Sequence, residues 1–308
     1  MKAARIHRFG PPDVILIDHL PLPVPGADQV LVRVKYAGVG PWDALIREHK
    51  SVVDSPLPLV LGSDLSGVVE AVGSAGGPFQ PGDEIYGVTN PQFVGAYAEF
   101  ALASVNMIAR KPETLTFREA ASAPVVAVTA WQMLFDYAKA RAGQSVLIHG
   151  AGGNVGAYAV QLASQAGLHV FATASAENAR YVRELGAATV IDYKQARFEQ
   201  VVPPVAIVLD MVGGDTRERS YPVIEPGGIL VSVVSKPMAD QGGPKNIRSV
   251  FFLVEVTTGR LNRISALFDR RKLFPRVGAV LALEQARTAH EMLAGASHAP
   301  GKIVLRTA

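Results

Sequence analysis

The chain has 308 residues, 49% hydrophobic and 19% charged, which favours about two globular domains over a disordered protein. Its 30 Lys and Arg residues nearly balance 27 Asp and Glu residues and form no basic stripe, so we expect no nucleic-acid partner. The absence of cysteine excludes disulfides and thiolate metal sites. No apolar run is long enough for a membrane helix and the start lacks a signal-peptide core, so we expect a cytoplasmic protein without a membrane partner.

The chain before Lys111 reads as short strands punctuated by glycine and proline. Residues 30–37, 67–72, 84–88 and 96–101 alternate between apolar and polar or are β-branched. This pattern predicts a compact barrel-like or sandwich domain.

Strands and helices alternate after Pro112, starting with a helix that Thr116 would cap together with Glu119. We predict strands over 146–149, 169–173, 189–191, 205–210 and 228–233, and helices over 155–166, 177–185 and 216–223. Short apolar strands joined by helices predict a parallel, doubly wound sheet, and therefore an α/β fold. The end of the chain returns to mixed structure, with helices predicted over 261–268 and 284–293 and a final strand over 302–306.

The turn after the first of these strands carries the clearest functional signal, with the sequence VLIHGAGGNVG over 146–156. Glycine lets the backbone turn tightly beside a pyrophosphate, and the following helix offers unpaired N–H groups. Alanine stands where the usual fingerprint begins with glycine, and a glycine-rich turn without a ligand is the alternative. The context of strand, turn and helix favours a dinucleotide site. Its residues are Gly150, Ala151, Gly153, Asn154, Val155 and Gly156.

The end of the second strand favours NADPH as the cofactor. NAD-preferring domains place Asp or Glu there, and this strand ends without an acid. Ser175, Arg180 and Tyr193 are instead candidates to contact a 2′-phosphate, which suits arginine's planar donors. The alternatives are that Arg180 is an ordinary exposed helix residue and that Ser175 only caps the helix.

Further motifs follow in order along the chain: LGSDLSGVV at 61–69, PGDE at 81–84, GAYAEF at 95–100, VTAW at 128–131, LGAA at 185–188, IDY at 191–193 and GKIVL at 301–305. Together with the glycine turn they resemble the medium-chain dehydrogenase/reductase superfamily, in its zinc-independent quinone oxidoreductase branch. The resemblance covers nearly the whole chain. It implies a GroES-like catalytic domain over 1–118, completed by 272–308, and a Rossmann NADP(H)-binding domain over 119–271.

The resemblance also implies a site and an assembly. By family position, Thr129 contacts the nicotinamide ribose or amide, and the backbone near Val212, Val233 and Phe251 lines the nicotinamide end. The active site would lie between the two domains. The apolar segment 249–254 would pair across a two-fold axis in a homodimer, which buries an otherwise hazardous edge.

Metal chemistry is not expected. The position of the first zinc ligand in zinc-dependent relatives is Gly40, and their Gly-His-Glu motif is replaced by Gly62, Ser63 and Asp64. A catalytic zinc is usually bound by thiolate or imidazole ligands. Without a Lewis acid nothing stabilises an alkoxide, so alcohol dehydrogenation becomes difficult, whereas quinones and conjugated carbonyls accept hydride directly.

Two side chains are candidates for the acceptor site. Asp43 matches the family's aspartate, with a structural role in capping a helix through Arg47 as its alternative. Trp42 could form a flat wall for an aromatic acceptor or belong to the core. The branch often carries Asn at the position of Gly40 and Tyr at that of Leu45, so this pocket is less polar than the pattern.

We therefore expect an NADPH-dependent reductase of quinones or similar activated carbonyls. One alternative is an alkenal/enone or enoyl-thioester reductase of the same superfamily. Another, from a different class, is an NADPH-binding sensor or structural protein with little turnover.

Overall fold

The computed structural model describes residues 1–53, 56–75, 77–236 and 245–307. The chain divides into a first unit, Met1–Val125 with Val256–Ala308, and a second unit, Val126–Glu255. The predicted boundaries, after residues 118 and 271, differ from this division at both ends. The reason is that two helices bond to the first unit: Ser66 Oγ donates to the Phe117 carbonyl, and Thr258 Oγ1 donates to that of Ile108.

The described strands are, in chain order, β1 (Lys2–Ile6), β2 (Ile15–His19), β3 (Gln29–Val39), β4 (Leu59–Val60), β5 (Asp64–Val72), β6 (Glu84–Val88), β7 (Phe100–Ser104), β8 (Ile108–Arg110), β9 (Ser145–Ile148), β10 (His169–Ala174), β11 (Thr189–Asp192), β12 (Val205–Asp210), β13 (Ile224–Ser232), β14 (Arg248–Phe251), β15 (Val277–Ala282) and β16 (Lys302–Arg306). The helices are α1 (Pro41–Arg47), α2 (Phe117–Ala121), α3 (Pro124–Trp131), α4 (Asn154–Gln165), α5 (Ala176–Glu184), α6 (Gly214–Glu218), α7 (Thr258–Asp269) and α8 (Ala286–Leu293).

The first unit is built on a largely antiparallel sheet in the order β15-β16-β3-β5-β6-β8, with β7 also paired to β3. A smaller sheet has the order β2-β1-β4. The long strand β3 is central because it pairs with β5, β7 and β16. The C-terminal segment thus completes the sheet that the N-terminal segment begins.

The strand predicted over 96–101 is wrong at its start, because β7 begins only at Phe100. The backbone before it crosses between the two sheets. The Tyr97 N–H donates to the Leu61 carbonyl, while the Tyr97 carbonyl accepts from the Ala4 N–H. The buried Tyr97 ring lies over Gly62, where an added Cβ would come within 2.0 Å of it.

The second unit is a parallel six-stranded sheet in the order β11-β10-β9-β12-β13-β14. This confirms the predicted doubly wound sheet. The helix predicted over 216–223 is wrong in its second half: α6 ends at Glu218, and Tyr221–Val223 forms a separate 3-10 turn with a proline in its first turn. Proline has no N–H to continue an α-helix.

The strand order reverses between β9 and β12, the two central strands of this sheet. Chain segments leaving these strands turn to opposite sides, which opens a crevice at their carboxyl ends. The fold therefore positions a ligand site at the turn after β9 and the loop after β12. No described helix is both long and apolar enough to cross a membrane.

Candidate functional site

The glycine turn after β9 has the geometry of an anion cradle. Gly150 adopts φ +70°, in the left-handed region that glycine tolerates. Gly153 is the N-cap residue of α4 and, having no side chain, makes no side-chain cap to the first N–H groups of that helix. A Cβ on Gly156 would lie 2.2 Å from the Gly150 carbonyl oxygen, so only glycine fits this contact. The turn leaves helix N–H groups available for a phosphate.

The loop after β12 faces this turn. A Cβ on Gly150 would lie 3.4 Å from Val212 Cγ2 and 3.6 Å from Met211 Cβ. Val212 is half exposed. The structure therefore brings together two of the predicted cofactor residues, Gly150 and Val212, at the reversal point of the strand order.

A fully buried carboxylate organises the loop after β12. Asp210 Oδ1 accepts the N–H of Val212 at 3.0 Å and that of Gly213 at 2.7 Å. Asp210 Oδ2 accepts the hydroxyl of Ser232 at 2.8 Å, and Ser232 Oγ in turn accepts the Val234 N–H at 3.2 Å. The ends of β12 and β13 are thus tied together at the predicted nicotinamide end, through a residue that the sequence reasoning missed.

Two other predicted nicotinamide residues, Val233 and Phe251, lie next to this loop. The Val233 N–H donates to the Asp210 carbonyl. Phe251 ends β14, in register with Ser232. Thr129 is buried on α3, with 5% of its surface exposed. Val233 and Phe251 thus lie at the same carboxyl edge as the cradle.

His149 is a buried support of the glycine turn. Its Nδ1 lies 3.1 Å from Thr173 Oγ1 and its Nε2 lies 2.9 Å from Ser220 Oγ. Because the Ser220 hydroxyl donates to the Thr216 carbonyl, Ser220 accepts from His149 Nε2, and Nδ1 then accepts from Thr173. Burial lowers the pKa of His149 to about 4, which agrees with this neutral form.

The predicted 2′-phosphate residues lie at the start of α5, within α5 and just after β11. Ser175 is the N-cap residue, and its Oγ accepts from Asn178 Nδ2 at 3.2 Å. Arg180 is 91% exposed and pairs with Glu184 at 2.8 Å. Tyr193 follows β11 and is 58% exposed. Glu177, in the first turn of α5, is the one acid of that turn.

In the first unit, Asp43 caps α1. Its Oδ2 accepts the Gly40 N–H and the Tyr97 hydroxyl, each at 2.8 Å. Burial raises the pKa of Asp43 to about 6. The capping alternative is therefore the one that the contacts show, but the expectation that it works through Arg47 is wrong. Arg47 donates instead to His290 Nδ1 and to the Gly10 carbonyl.

Trp42 neighbours this cap on α1. Its ring meets that of Phe93 edge-on, with the centroids 6.0 Å apart. Its indole Nε1 is buried, and no described residue accepts from it. Both candidate side chains of the acceptor site thus stand at the start of α1.

The residues at the family's zinc positions do not fit zinc. Gly40 offers no side chain, and no group of three metal-ligating side chains occurs among the described residues. A Cβ on Gly40 would lie 3.2 Å from the buried ammonium of Lys302, which pairs with Asp64 at 2.9 Å. A fixed cation here repels a second one.

Comparisons with known proteins agree with this architecture. Residues 26–113 match the alcohol dehydrogenase GroES-like domain and residues 185–305 the domain described as zinc-binding dehydrogenase. Mouse (Mus musculus) quinone oxidoreductase is 31% identical over 99% of this chain and 97% of its own length. The solved quinone oxidoreductase of Coxiella burnetii is 33% identical, with a TM-score of 0.91 over 100% of this chain and 99% of its own.

The chain belongs to the medium-chain dehydrogenase/reductase superfamily and is quinone oxidoreductase-like. It is an oxidoreductase of this family, whose members bind a nicotinamide cofactor and act on small molecules. A mycobacterial protein solved with NADPH is 27% identical, with a TM-score of 0.88 and 99% coverage of both chains. The 2-methylene-furan-3-one reductase of Solanum lycopersicum is 34% identical over 77% of this chain and 64% of its own length.

Proposed function

We propose that this quinone oxidoreductase-like protein is a zinc-independent, NADPH-dependent reductase of quinones or similar activated carbonyls. The observation that carries the proposal is the chemistry at Gly40: a nucleotide cradle occurs in a chain whose metal position holds a buried ammonium instead of ligands. Without a metal to stabilise an alkoxide, reduction of an activated acceptor is the accessible reaction.

The cofactor residues divide into two ends. The turn at Gly150, Gly153 and Gly156 would hold the pyrophosphate with backbone N–H groups. The nicotinamide would lie near Val212 and Val233, which the Asp210 bonds fix in position. When bound, the reduced nicotinamide supplies a hydride. The chain itself contributes position, orientation and exclusion of water.

The preference for NADPH rests on the region around Ser175. No acid ends β10, and the exposed Arg180 can leave Glu184 cheaply, since exposed ion pairs contribute about 0–1 kcal/mol. Glu177 in the same first turn opposes a 2′-phosphate. We therefore propose a modest preference, carried by Arg180 and Tyr193, rather than exclusion of NADH. The NADPH bound to the mycobacterial neighbour supports this assignment.

The acceptor would lie beside Trp42, which offers an aromatic wall. Gly40 contributes no side chain, and Leu45 is apolar and 39% exposed. A flat, weakly polar acceptor such as a quinone suits this lining. An enone reductase is the second candidate, because the tomato relative is named for reduction of a conjugated furanone.

A panel assay tests the proposal. The EDTA-dialysed protein is mixed with NADPH or NADH and with 9,10-phenanthrenequinone, 3-penten-2-one or crotonyl thioester, with ethanol plus NADP⁺ as the control. Quinone turnover without added zinc supports the first candidate, and turnover of 3-penten-2-one alone supports the second. Tight NADPH binding without turnover of any acceptor would instead favour a sensor or structural protein.

We also propose that the protein forms a homodimer through β14. This strand is the last on its side of the described second-unit sheet, and Ser249 and Val250 are not covered by another described strand. A free edge of this kind is an association hazard that pairing removes. Light scattering at micromolar concentration tests this, and a monomeric mass contradicts it.

A further inference from the structure

Lys302, at the start of β16, is a buried cation held by one carboxylate. Its side chain is 4% exposed, and Nζ donates to Asp64 Oδ2 at 2.9 Å. The other oxygen of Asp64 accepts the Val125 N–H at 3.0 Å, which fixes the carboxylate. The ion pair therefore has a defined orientation as well as a buried charge.

The ammonium has donors to spare. A lysine ammonium carries three N–H bonds. Among the described residues, Asp64 is the one acceptor of a hydrogen bond from Lys302 Nζ. The carboxylate of Asp43 accepts from Gly40 and Tyr97 through Oδ2, and the described Lys302 Nζ donates no hydrogen bond to it. A buried donor without an acceptor costs free energy, so spare donors in this position call for an explanation.

Gly40 places no side chain against this ammonium. Its φ of −142° is open to any residue, so the backbone does not require glycine. A Cβ at this position would meet Lys302 Nζ at 3.2 Å and, apart from adjacent residues, no other atom within 4 Å. The missing side chain thus leaves room for one small group next to Nζ.

We propose that Lys302 is a catalytic residue that donates a hydrogen bond to the carbonyl oxygen of the acceptor. This role rests on the reductase function proposed above, and it identifies the group that stabilises negative charge on the acceptor oxygen. As hydride adds to carbon, the electron pair of the π system moves to that oxygen. The Lys302 ammonium stabilises the resulting enolate or quinolate, and water then supplies the proton that completes the two-electron reduction. Asp64 holds the ammonium in place.

The first test replaces the charge. Lys302→Met together with Asp64→Asn removes both members of the buried pair, which avoids an isolated buried charge. We expect kcat to fall about 100-fold, the size typical of a lost oxyanion donor. The single variant Lys302→Arg, which keeps a cation beside Asp64, should have a higher kcat than this double variant. The loss should be larger for 3-penten-2-one than for 9,10-phenanthrenequinone, because the quinone needs less help to accept hydride.

The second test covers the ammonium without removing it. Gly40→Ala places a methyl group against Lys302 Nζ, and Gly26→Ala is the matched control, because its Cβ would meet Gln29 Oε1 at the same 3.2 Å. We expect Gly40→Ala to lower kcat about 10-fold and Gly26→Ala to leave it unchanged, with melting temperatures within about 2 °C of each other. If the Lys302 variants fail to fold, the comparison of Gly40→Ala with Gly26→Ala tests the proposal.

Cofactor affinity separates this proposal from its rivals. NADPH binding, followed by nicotinamide fluorescence, should be unchanged in all these variants. Lost affinity with unchanged kcat would place Lys302 on the cofactor and overturn the proposal. Equal losses for both acceptors, or full kcat in Gly40→Ala, would also overturn it. Wild-type turnover of either acceptor would leave the reductase function standing in each case.

Discussion

Replacement of Asp210 tests whether the nicotinamide end is organised from a single buried carboxylate. Two backbone N–H groups and one hydroxyl converge on it within 3.0 Å. In Asp210→Ala the Gly213 N–H and the Ser232 hydroxyl lose their acceptor in a buried setting. Each lost buried partner costs about 1–3 kcal/mol, partly offset because no carboxylate has to be desolvated.

We therefore expect Asp210→Ala to lose about 3 kcal/mol of unfolding free energy. Asp210→Asn is the matched control, since its Oδ1 can keep both backbone bonds while Ser232 accepts from its Nδ2. That variant should lose about 1 kcal/mol. The measurement is chemical denaturation of both variants, alongside NADPH titration by fluorescence. Because the Val212 loop is released, NADPH affinity should fall at least 10-fold in the alanine variant.

Equal stability and equal NADPH affinity for Asp210→Ala and Asp210→Asn would show that the carboxylate does not order the loop.

Three further changes have defined outcomes. Gly156→Ala puts a Cβ 2.2 Å from a backbone oxygen and should weaken NADPH binding at least 10-fold by fluorescence, whereas Gly259→Ala, whose Cβ meets its nearest atom at 4.0 Å, should not. The pKa of His149 is about 4 in the folded protein and about 6.5 in the unfolded chain. As the pH falls below 6.5, the unfolded chain binds the proton first. The free energy of unfolding therefore has its full value above pH 6.5 and decreases by about 1.4 kcal/mol per pH unit toward pH 4. Denaturation curves of His149→Gln should be less acid-sensitive than wild type between pH 6.5 and 4.5, and an equal slope would count against this assignment. Glu177→Gln should raise the affinity for 2′,5′-ADP relative to AMP by calorimetry, because a like charge near the phosphate is removed, and no change would remove Glu177 from the account.

Local signals predicted much of the fold. The capping box of Thr116 and Glu119 forms as expected, since both partners lie within one helical turn. The strands β6, β12 and β16 have the predicted bounds, because apolar runs with clear punctuation specify them locally. Strand Phe100–Ser104 was misplaced at its start, because the crossing of Tyr97 depends on contacts with Ala4 and Leu61 that are distant in sequence.

The candidate site was only half accessible to sequence reasoning. The glycine turn is contiguous and was found, whereas Lys302 and Asp64 are separated by 238 positions and meet only through the fold. Asp210 was missed for a similar reason, since its role depends on a hydroxyl donor, Ser232, at the end of the neighbouring strand β13. A polar residue ending an apolar strand beside glycines, as in the sequence around Asp210 and Gly213, was the signal that could have found it.

Zinc-independent reduction of an activated acceptor is tested most directly by measuring NADPH oxidation with metal-depleted protein. The zinc content is reduced by EDTA dialysis and verified by elemental analysis, and 9,10-phenanthrenequinone and 3-penten-2-one are then supplied with NADPH, with and without added Zn²⁺. We expect saturable NADPH oxidation with at least one of these acceptors, at a rate that added Zn²⁺ does not change. A rate that depends on Zn²⁺, or oxidation of ethanol with no turnover of either acceptor, would contradict it.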